Sequence, residues 1–397
     1  MTFAAADVAR ADTTSSEPIR AQPGPQFYAL SCGADFVVFG GAAGGGKALS
    51  LETLIPTPKG WTTMGALVAG EVVFDERGNA WRIVTAWAVI EQPKSYRVTF
   101  DDSSTIEACA DHLWLTFDAK ELEALTRRDP VFRARRRETR ASRSTVGAGQ
   151  RWQHTQEHRQ YLSERMTQWN RAHPPPILAA PVGGLRTTAD IAVTLTARGG
   201  RSNHAVPVAA PLETPDRDLP LDPYVLGCWL GDGTSTSGDI AIGPADAVAM
   251  RQLFAESGWT TTARSSVYLY GVPGLVTRLR GLGVVGRKRK HVPPPYLRAS
   301  RAQRLALLQG LMDTDGTVGR DGRHVSFCTT HPQLRNDVYE LIVSLGWKVG
   351  TTERRAILRM SSQPPKDCGS AWNLWFSADV PVFRLKRKRD RQRLAQR

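Results

Sequence analysis

The chain has 397 residues, of which 41% are hydrophobic, and a formal net charge of +14 at pH 7. This length predicts two or three domains, and the surplus of Lys and Arg favours a polyanionic partner such as nucleic acid. Five cysteines without a Cys-x-x-Cys pair argue against a disulfide framework. Because no signal-peptide-like segment and no apolar run of about 18 residues is found, the sequence predicts a cytoplasmic protein without a membrane partner.

The first motif in chain order is a glycine-rich loop. An apolar β-run, DFVVFGG, leads into Gly41 to Lys47, which fit the pattern G-x-x-x-x-G-K. In such a loop backbone N–H groups close around phosphates and the lysine neutralises them, so Gly41, Gly46 and Lys47 are candidate phosphate ligands. A Ser or Thr that binds magnesium should follow, but Ala48 stands there. The prolines of LETLIPTPKG also exclude the helix that normally begins at the lysine.

Residues 70–116 have an all-β pattern, with a hairpin predicted around Arg77 to Asn79. The pattern ends in DHLWLT, where His112 and Trp114 stand two positions apart. This histidine is either a functional residue or a hydrogen-bonded residue at the end of a strand. Residues 127–151 carry nine arginines against two acidic residues and predict an exposed basic insertion. A polar helix, QEHRQYLSERMTQWNRAH, is predicted after it.

Two similar apolar segments, YVLGCWLGDGT and LLQGLMDTDGT, indicate an internal repeat. Each places a glycine, Gly227 or Gly310, on a helix face where two helices could approach closely, and each ends in an aspartate, Asp232 or Asp315. If the helices pack side by side, both carboxylates meet at one end and can hold Mg²⁺ ions over two phosphodiesters. The alternative is two ordinary buried helices that end in Asp-Gly turns.

These two segments resemble the paired motifs of LAGLIDADG homing endonucleases. The resemblance implies a pseudo-twofold α+β nuclease domain that acts as a monomer on double-stranded DNA, with Asp232 and Asp315 as ligands of Mg²⁺ and Asp313 in a structural role. It also implies a lysine between the motifs that assists hydrolysis, and RKRKHVPPPYL offers Lys290, with Lys288 as the other candidate. The segments SSVYLYGV and RRAILRMSS are candidate strands for the DNA major groove.

The segment ALSLETLIPTPKGWTTMGAL, the β-hairpins after it and STIEACADHLWLT resemble the N-terminal splicing blocks of inteins, which have the horseshoe-shaped all-β Hint fold. The resemblance implies that an intein begins at Ala48 and interrupts the phosphate loop. Ala48 and the spacing of His112 and Trp114 are similar to the intein class that lacks an N-terminal nucleophile. His112 would polarise the Lys47–Ala48 peptide bond, and Trp114 would pack beside a remote cysteine.

The ending VFRLKRKRDRQRLAQR lacks the His-Asn pair of a C-terminal splicing block. We therefore expect this chain alone not to complete splicing, and a missing C-terminal segment is a candidate partner. The segment GPQFYALSCGADFVVFGGAAGGGK resembles the start of the large terminase subunit of tailed phages. This resemblance implies a phage- or prophage-encoded host protein and, as the DNA target, a terminase gene without the intein.

The sequence thus predicts a multidomain chain made of a terminase fragment (1–47), the N-terminal part of an all-β Hint domain (48–125), a basic insertion and linker (126–210), a LAGLIDADG endonuclease (211–380) and a basic tail (381–397). The predicted function is that of an intein-encoded homing endonuclease that needs Mg²⁺. Two alternatives remain open at this point. One is a P-loop ATPase of the DNA-packaging motor, and the other is a DNA-binding module without nuclease activity.

Overall fold

The computed structural model describes residues 49–83, 94–102, 104–128, 183–197, 199–360 and 363–395. The phosphate-loop residues Gly41, Gly46 and Lys47, together with Ala48 and most of the predicted basic insertion, lie outside these ranges. Among the described residues, no helix combines the length and the apolar character needed to cross a bilayer.

The described residues form two compact units. The first unit contains those up to Ala108 and those from Val208 onward, and the second contains those from Cys109 to Pro207. This grouping differs from the predicted divisions at residues 125 and 210, because the chain leaves the first unit inside a strand and returns to it at 208.

The first unit begins with short antiparallel strands. They are β1 (Leu54–Thr57), β2 (Gly60–Thr63), β3 (Val72–Phe74), β4 (Ala80–Arg82), β5 (Ser95–Thr99) and β6 (Thr105–Cys109), with a 3₁₀ turn at Met64–Ala66. They pair as three separate hairpins, β1 with β2, β3 with β4 and β5 with β6. The β1–β2 hairpin occupies the position where a phosphate-loop helix would run, as the prolines predicted.

The β3–β4 hairpin confirms the turn predicted around Arg77 to Asn79. The Asp75 carboxylate closes this turn by accepting hydrogen bonds from the N–H groups of Arg77 (3.0 Å) and Asn79 (2.7 Å) and from Trp81 Nε1 (2.8 Å). These contacts hold the pKa of Asp75 below its ordinary value despite the opposing effect of burial. The β character of this region is therefore as predicted, but the closed Hint horseshoe is not confirmed.

The second unit contains β7 (Leu113–Asp118), α1 (Ala119–Arg128), β8 (Gly184–Thr187), α2 (Thr188–Val193) and β9 (His204–Ala205). Strand β7 lies in the centre of a three-stranded sheet, between β8 and β9. Helix α2 begins with a capping box, in which Thr187 and Asp190 satisfy each other's backbone N–H groups.

The remainder of the first unit is an α+β domain. Its elements are α3 (Pro223–Asp232), β10 (Ile240–Ala241), α4 (Ala247–Glu256), β11 (Thr262–Ala263), β12 (Leu269–Gly271), α5 (Leu275–Gly281), α6 (Pro294–Leu297), α7 (Arg301–Asp315), β13 (Gly316–Val318), β14 (Val325–Thr329), α8 (Pro332–Ser344), β15 (Val349–Met360), β16 (Gln363–Phe376) and α9 (Lys386–Arg389).

Helices α3 and α7 carry the two predicted motifs and pack against each other backbone to backbone. Side-chain caps start both helices, because Asp222 accepts from Val225 N and Ser300 accepts from Gln303 N. A Cβ on Gly227 would lie 2.1 Å from the Leu307 carbonyl oxygen, and one on Gly310 would lie 2.1 Å from that of Tyr224. Only glycine allows this approach, so both glycines have the role that the repeat predicted.

Each motif helix opens one half of a pseudo-repeat, which we call the first half (222–299) and the second half (300–395). The first half has a three-stranded sheet, β10-β12-β11, with strands of two or three residues, whereas the second half has a four-stranded sheet, β13-β14-β16-β15. Strands β15 and β16 have 12 and 14 residues and form a long hairpin. The predicted strand SSVYLYGV is reduced to β12, whereas the described part of RRAILRMSS lies in β15.

The predicted basic tail is part of the domain. Val382, Phe383 and Leu385 are buried in its core, and Ala395 N donates to the Ala378 carbonyl at 2.7 Å. The predicted boundary at residue 381 separates Val382 and Phe383 from the domain, and Leu385 stands between Arg384 and Lys386, which conceal it.

We expect Gly310→Ala to lower the free energy of unfolding by about 3 kcal/mol, because the added Cβ forces the two motif helices apart. Urea denaturation followed by circular dichroism measures this change. Gly281→Ala is the matched control, since a Cβ at the exposed end of α5 meets no atom within 4 Å and should leave stability unchanged or slightly higher. Equal stability of the two variants would contradict the backbone packing of α3 on α7.

Candidate active site

The two motif helices end at the same place, where Asp232 closes α3 and Asp315 closes α7. Their carboxyl groups lie within hydrogen-bonding reach of each other. Gly231 lies against Thr314 just before them, because a Cβ there would be 2.1 Å from Thr314 Oγ1. The structure thus brings together the two predicted metal ligands, and Asp315 remains accessible to solvent.

Both carboxyl groups have raised pKa values. The protein atoms around Asp315 displace water, and the neighbouring Asp232 repels its negative form, which together raise the pKa of Asp315 to about 6. Desolvation also raises the pKa of Asp232, against the attraction of Lys290 and Lys388. A cation between the two carboxylates would remove this repulsion.

Lys290 is buried beside this pair and is bound to the end of α3. Its Nζ donates to the Gly231 carbonyl at 2.8 Å and lies 5.2 Å from the centre of the Trp229 ring. Burial lowers the pKa of Lys290 to about 8, although Asp315 and Asp232 favour its charged form. The other candidate, Lys288, is exposed and has a left-handed backbone with φ of 62°. The geometry therefore favours Lys290.

A second buried lysine, Lys388, was missed by the sequence analysis. Its Nζ donates to four carbonyl oxygens at the end of α7, those of Met312 (3.0 Å), Asp313 (2.7 Å), Thr314 (3.1 Å) and Gly316 (2.8 Å). Burial lowers its pKa, and Asp232 is among the carboxylates that oppose this shift. Lys388 is therefore the counterpart of Lys290 in the second half, and no sequence signal separates it from the basic residues around it.

Asp313 has the position expected for a structural residue. It is buried, and it accepts hydrogen bonds from the Tyr224 hydroxyl (2.9 Å) and from the N–H groups of Arg384 and Leu385 (3.1 Å each). The Arg384 guanidinium lies 4.2 Å from the centre of the Tyr224 ring. This network ties the segment before Lys388 to both motif helices.

The donor set fits a hard divalent cation such as Mg²⁺ or Ca²⁺, which prefers carboxylate oxygens. Within the described ranges, no group of three or more His, Cys, Asp or Glu side chains could hold a metal ion. Two carboxylates alone suit Mg²⁺, because this ion commonly keeps several waters and takes further oxygens from phosphates.

His112 and Trp114 lie together in the second unit. Their ring centres are 4.8 Å apart in an edge-to-face arrangement, and Trp114 Nε1 donates to Thr188 Oγ1 at 2.9 Å. Thr188 N in turn donates to the His112 carbonyl at 2.9 Å. Ala48, on which the predicted splicing role depends, lies outside the described residues, as do Gly41, Gly46 and Lys47.

One family model matches part of the chain. Residues 302–362 match the LAGLIDADG-like domain. This range contains Asp315 and strand β15, whereas β16, Asp232 and both lysines lie outside it.

Two curated relatives are both described as replicative DNA helicase DnaB. The protein of Mycobacterium intracellulare is 37% identical over 354 residues, which cover 89% of this chain and 51% of the relative. That of Mycobacterium leprae is 36% identical over 80 residues, or 20% of this chain and 13% of the relative. The chain thus spans about half the length of the first relative. Neither description supports the expected terminase host.

Among solved structures, the crystal structure of the MchDnaB-1 intein is 42% identical over 17% of this chain and 53% of its own, with a TM-score of 0.17. The crystal structure of I-DmoI in complex with DNA and Ca is 14% identical over 43% of this chain and 95% of its own, with a TM-score of 0.26. Scores this low carry no argument about the fold. What the comparisons establish is that the chain contains a LAGLIDADG-like domain, which includes the second of its two paired motif aspartates.

Proposed function

We propose that the chain is an intein-encoded homing endonuclease that hydrolyses both strands of a specific DNA site with the help of Mg²⁺. The observation that carries the proposal is the meeting of Asp232 and Asp315 at the ends of two close-packed helices, flanked by the buried Lys290 and Lys388. Both carboxylates come from one chain, which favours a monomer. The match of residues 302–362 to the LAGLIDADG-like domain supports the same class.

The roles of the four charged groups follow from their positions. Asp232 and Asp315 would hold Mg²⁺, which when bound supplies positive charge to the phosphate oxygens and lowers the pKa of bound water. Lys290, whose pKa of about 8 lies near neutrality, can hold or release a proton beside the attacked phosphodiester. The Lys388 ammonium, held among carbonyl oxygens, would stabilise the negative charge of the second strand.

The surface that would meet DNA is the outer face of the four-stranded sheet. Its apolar side chains, such as Phe327 and Leu374, point into the core, so the alternate residues point outward. The outward set contains Thr317, Ser326, Thr352, Arg354, Asn373 and Trp375, of which Trp375 is 42% exposed. Because Asp315 directly precedes β13, this polar face continues from the carboxylate pair. The long β15–β16 hairpin of this sheet is a two-stranded ribbon, an element that fits the major groove.

Two observations bear on which host protein the intein interrupts. The residues before Ala48 resemble a terminase, whereas the curated relatives are described as DnaB. An alignment of 354 residues extends far beyond residues 1–47, so it reports largely on the inserted part. We propose that residues 1–47 are a fragment of the host protein and that His112 and Trp114 belong to the splicing domain of the intein. The DNA target would then be the host gene without the intein.

We expect Asp232→Asn or Asp315→Asn to abolish Mg²⁺-dependent double-strand cleavage, because each removes a ligand that the other cannot replace. DNA binding should persist or become tighter, because a negative charge that faces phosphates is lost. The assay is digestion of plasmids that carry an uninterrupted terminase gene, an uninterrupted dnaB gene or an interrupted gene. Asp321→Asn, in an exposed turn, is the control. Cleavage by either motif variant at the wild-type rate, or equal cutting of all plasmids, would contradict the proposal.

A second prediction concerns the hairpin. We expect Arg354→Ala to weaken DNA binding about tenfold. The slope of the logarithm of the binding constant against the logarithm of the salt concentration should fall by about one, as expected for the loss of one phosphate contact. Arg251→Ala on the outer surface of α4 loses the same charge and should have little effect. Fluorescence anisotropy at several salt concentrations measures both. Equal losses in the two variants would indicate that only net charge matters, against recognition by the hairpin.

The carboxylate pair should also lower stability. The pKa of Asp315 is 3.8 in the unfolded chain and is raised to about 6 in the folded protein. The folded state therefore binds the proton more tightly, and the free energy of unfolding falls as the pH rises from 3.8 through 6. Asp315→Asn should therefore stabilise the metal-free protein at pH 7.5, by about 1 kcal/mol after allowance for solvent screening of this accessible group, but not at pH 3.5.

Thermal melts in EDTA at the two pH values test this expectation. Asp321 is the control, because its pKa is lowered by the Arg323 N–H, so Asp321→Asn should give no gain at pH 7.5. Added Mg²⁺ should stabilise the wild type and not Asp315→Asn. A stability gain independent of pH would show that the pair is not strained.

A further inference from the structure

The segment that carries Lys290 is held by a carboxylate from the other half of the domain. Val292 N donates to Asp337 Oδ2 at 2.7 Å, and both residues are buried. The second oxygen of Asp337 accepts from Gln333 Nε2 at 2.8 Å. Asp337 lies on α8 in the second half, whereas Lys290 and its acceptor Gly231 lie in the first. The segment 290–292 is therefore fixed at one end to its own motif helix and at the other to the opposite half.

The segment that carries Lys388 has the reverse arrangement. Arg387 donates through Nε and Nη2 to the two carboxylate oxygens of Asp246, which precedes α4 in the first half. The Asp246 side chain is 13% exposed and that of Arg387 is 54% exposed, so the carboxylate of this bidentate pair is shielded while the guanidinium is partly open to water. Lys388, the next residue, donates to the end of α7 in its own half.

A neighbouring ion pair shows what is particular to these two contacts. Lys386, the first residue of the short helix α9, pairs with Asp390, which follows the last, and both side chains are at least half exposed. That pair stays inside one half and contributes little, as exposed pairs do. By contrast, the contacts of Asp337 and Asp246 cross between the halves and fall within two residues of an active-site lysine, and both carboxylates are shielded from water.

We infer that Asp337 and Asp246 are positioning residues, each of which holds the lysine-bearing segment of the opposite half against the end of its motif helix. Neither carboxylate is placed in contact with metal or DNA, so each acts through the lysine. The inference rests on the proposed nuclease function for its effect on cleavage, but the placement of the lysines is independent of that function.

Chemical labelling tests the placement directly. The full chain is treated with a limiting amount of an amine-acylating reagent, and modification at Lys290 and Lys388 is measured by peptide mass spectrometry. In Asp337→Ala we expect labelling of Lys290 to rise several-fold and that of Lys388 to stay unchanged. Asp246→Ala should have the opposite pattern. Asp337→Asn should match the wild type, because the amide oxygen still accepts from Val292 N, and Asp390→Asn should change neither lysine.

Cleavage tests the consequence. The substrate is a duplex that the wild type cuts, selected from a randomised duplex library. Asp337→Ala should slow single-turnover cleavage about 10- to 100-fold at an unchanged dissociation constant for DNA, because the lysine is displaced while the binding face is intact. Asp337→Asn should restore the rate. The exchange of charges in Asp246→Arg with Arg387→Asp should recover cleavage lost in Asp246→Ala.

The outcomes separate the two ideas. If the wild type selects no duplex, the nuclease function fails, and the labelling pattern still decides the positioning roles. If the wild type cleaves but Asp337→Ala and Asp246→Ala cleave equally fast, or if both variants expose both lysines equally, the positioning roles are wrong.

Discussion

The close contact between helices α3 and α7 is the constraint on which the rest of the domain depends. Gly227 and Gly310 let the two backbones approach until a single added Cβ would collide with a carbonyl oxygen. A contact this close fixes the relative position of the two helix ends, because there are no flexible side chains between them to absorb a shift. The distance between Asp232 and Asp315 is therefore set by backbone packing and not by their own side chains.

The helix ends also explain how two lysines can be buried there. The last carbonyls of a helix have no partner within it, and they carry the negative end of the helix dipole. Lys290 and Lys388 supply the missing donors, at one carbonyl of α3 and at four carbonyl oxygens around the end of α7. Each ammonium thus finds acceptors in a buried place, where a charge without partners would be costly. The same arrangement keeps positive charge beside the two carboxylates.

Much of this site could be predicted from the sequence because its signals are local. In each motif the helix glycine lies only five residues before the aspartate of the Asp-Gly-Thr ending. Asp232, Asp315 and Lys290 lie close together in the structure, as expected. Lys388 could not be identified in the same way, because it lies among seven other basic residues between positions 384 and 397 and only its burial distinguishes it. The difference between the two sheets was also hidden, since β15 and β16 gain their length through pairing with each other, which no short segment encodes.

The roles of Asp313, Asp337 and Asp246 show why a carboxylate in a charged chain is hard to interpret from sequence alone. Asp313 lies two residues from Asp315, yet it accepts three donors from Tyr224, Arg384 and Leu385 and faces the interior. Because consecutive helical positions point about 100° apart, residues two apart lie on nearly opposite faces. One face of α7 therefore closes the core around the segment that leads to Lys388, while the other presents Asp315 to solvent. The helix that builds the candidate site is thus also the helix that holds the supporting segment in place, so the two tasks cannot be separated by mutation of α7. Contacts from the outlying helices, such as those of Asp337 and Asp246, are where placement of the lysines can be altered while the carboxylate pair stays intact.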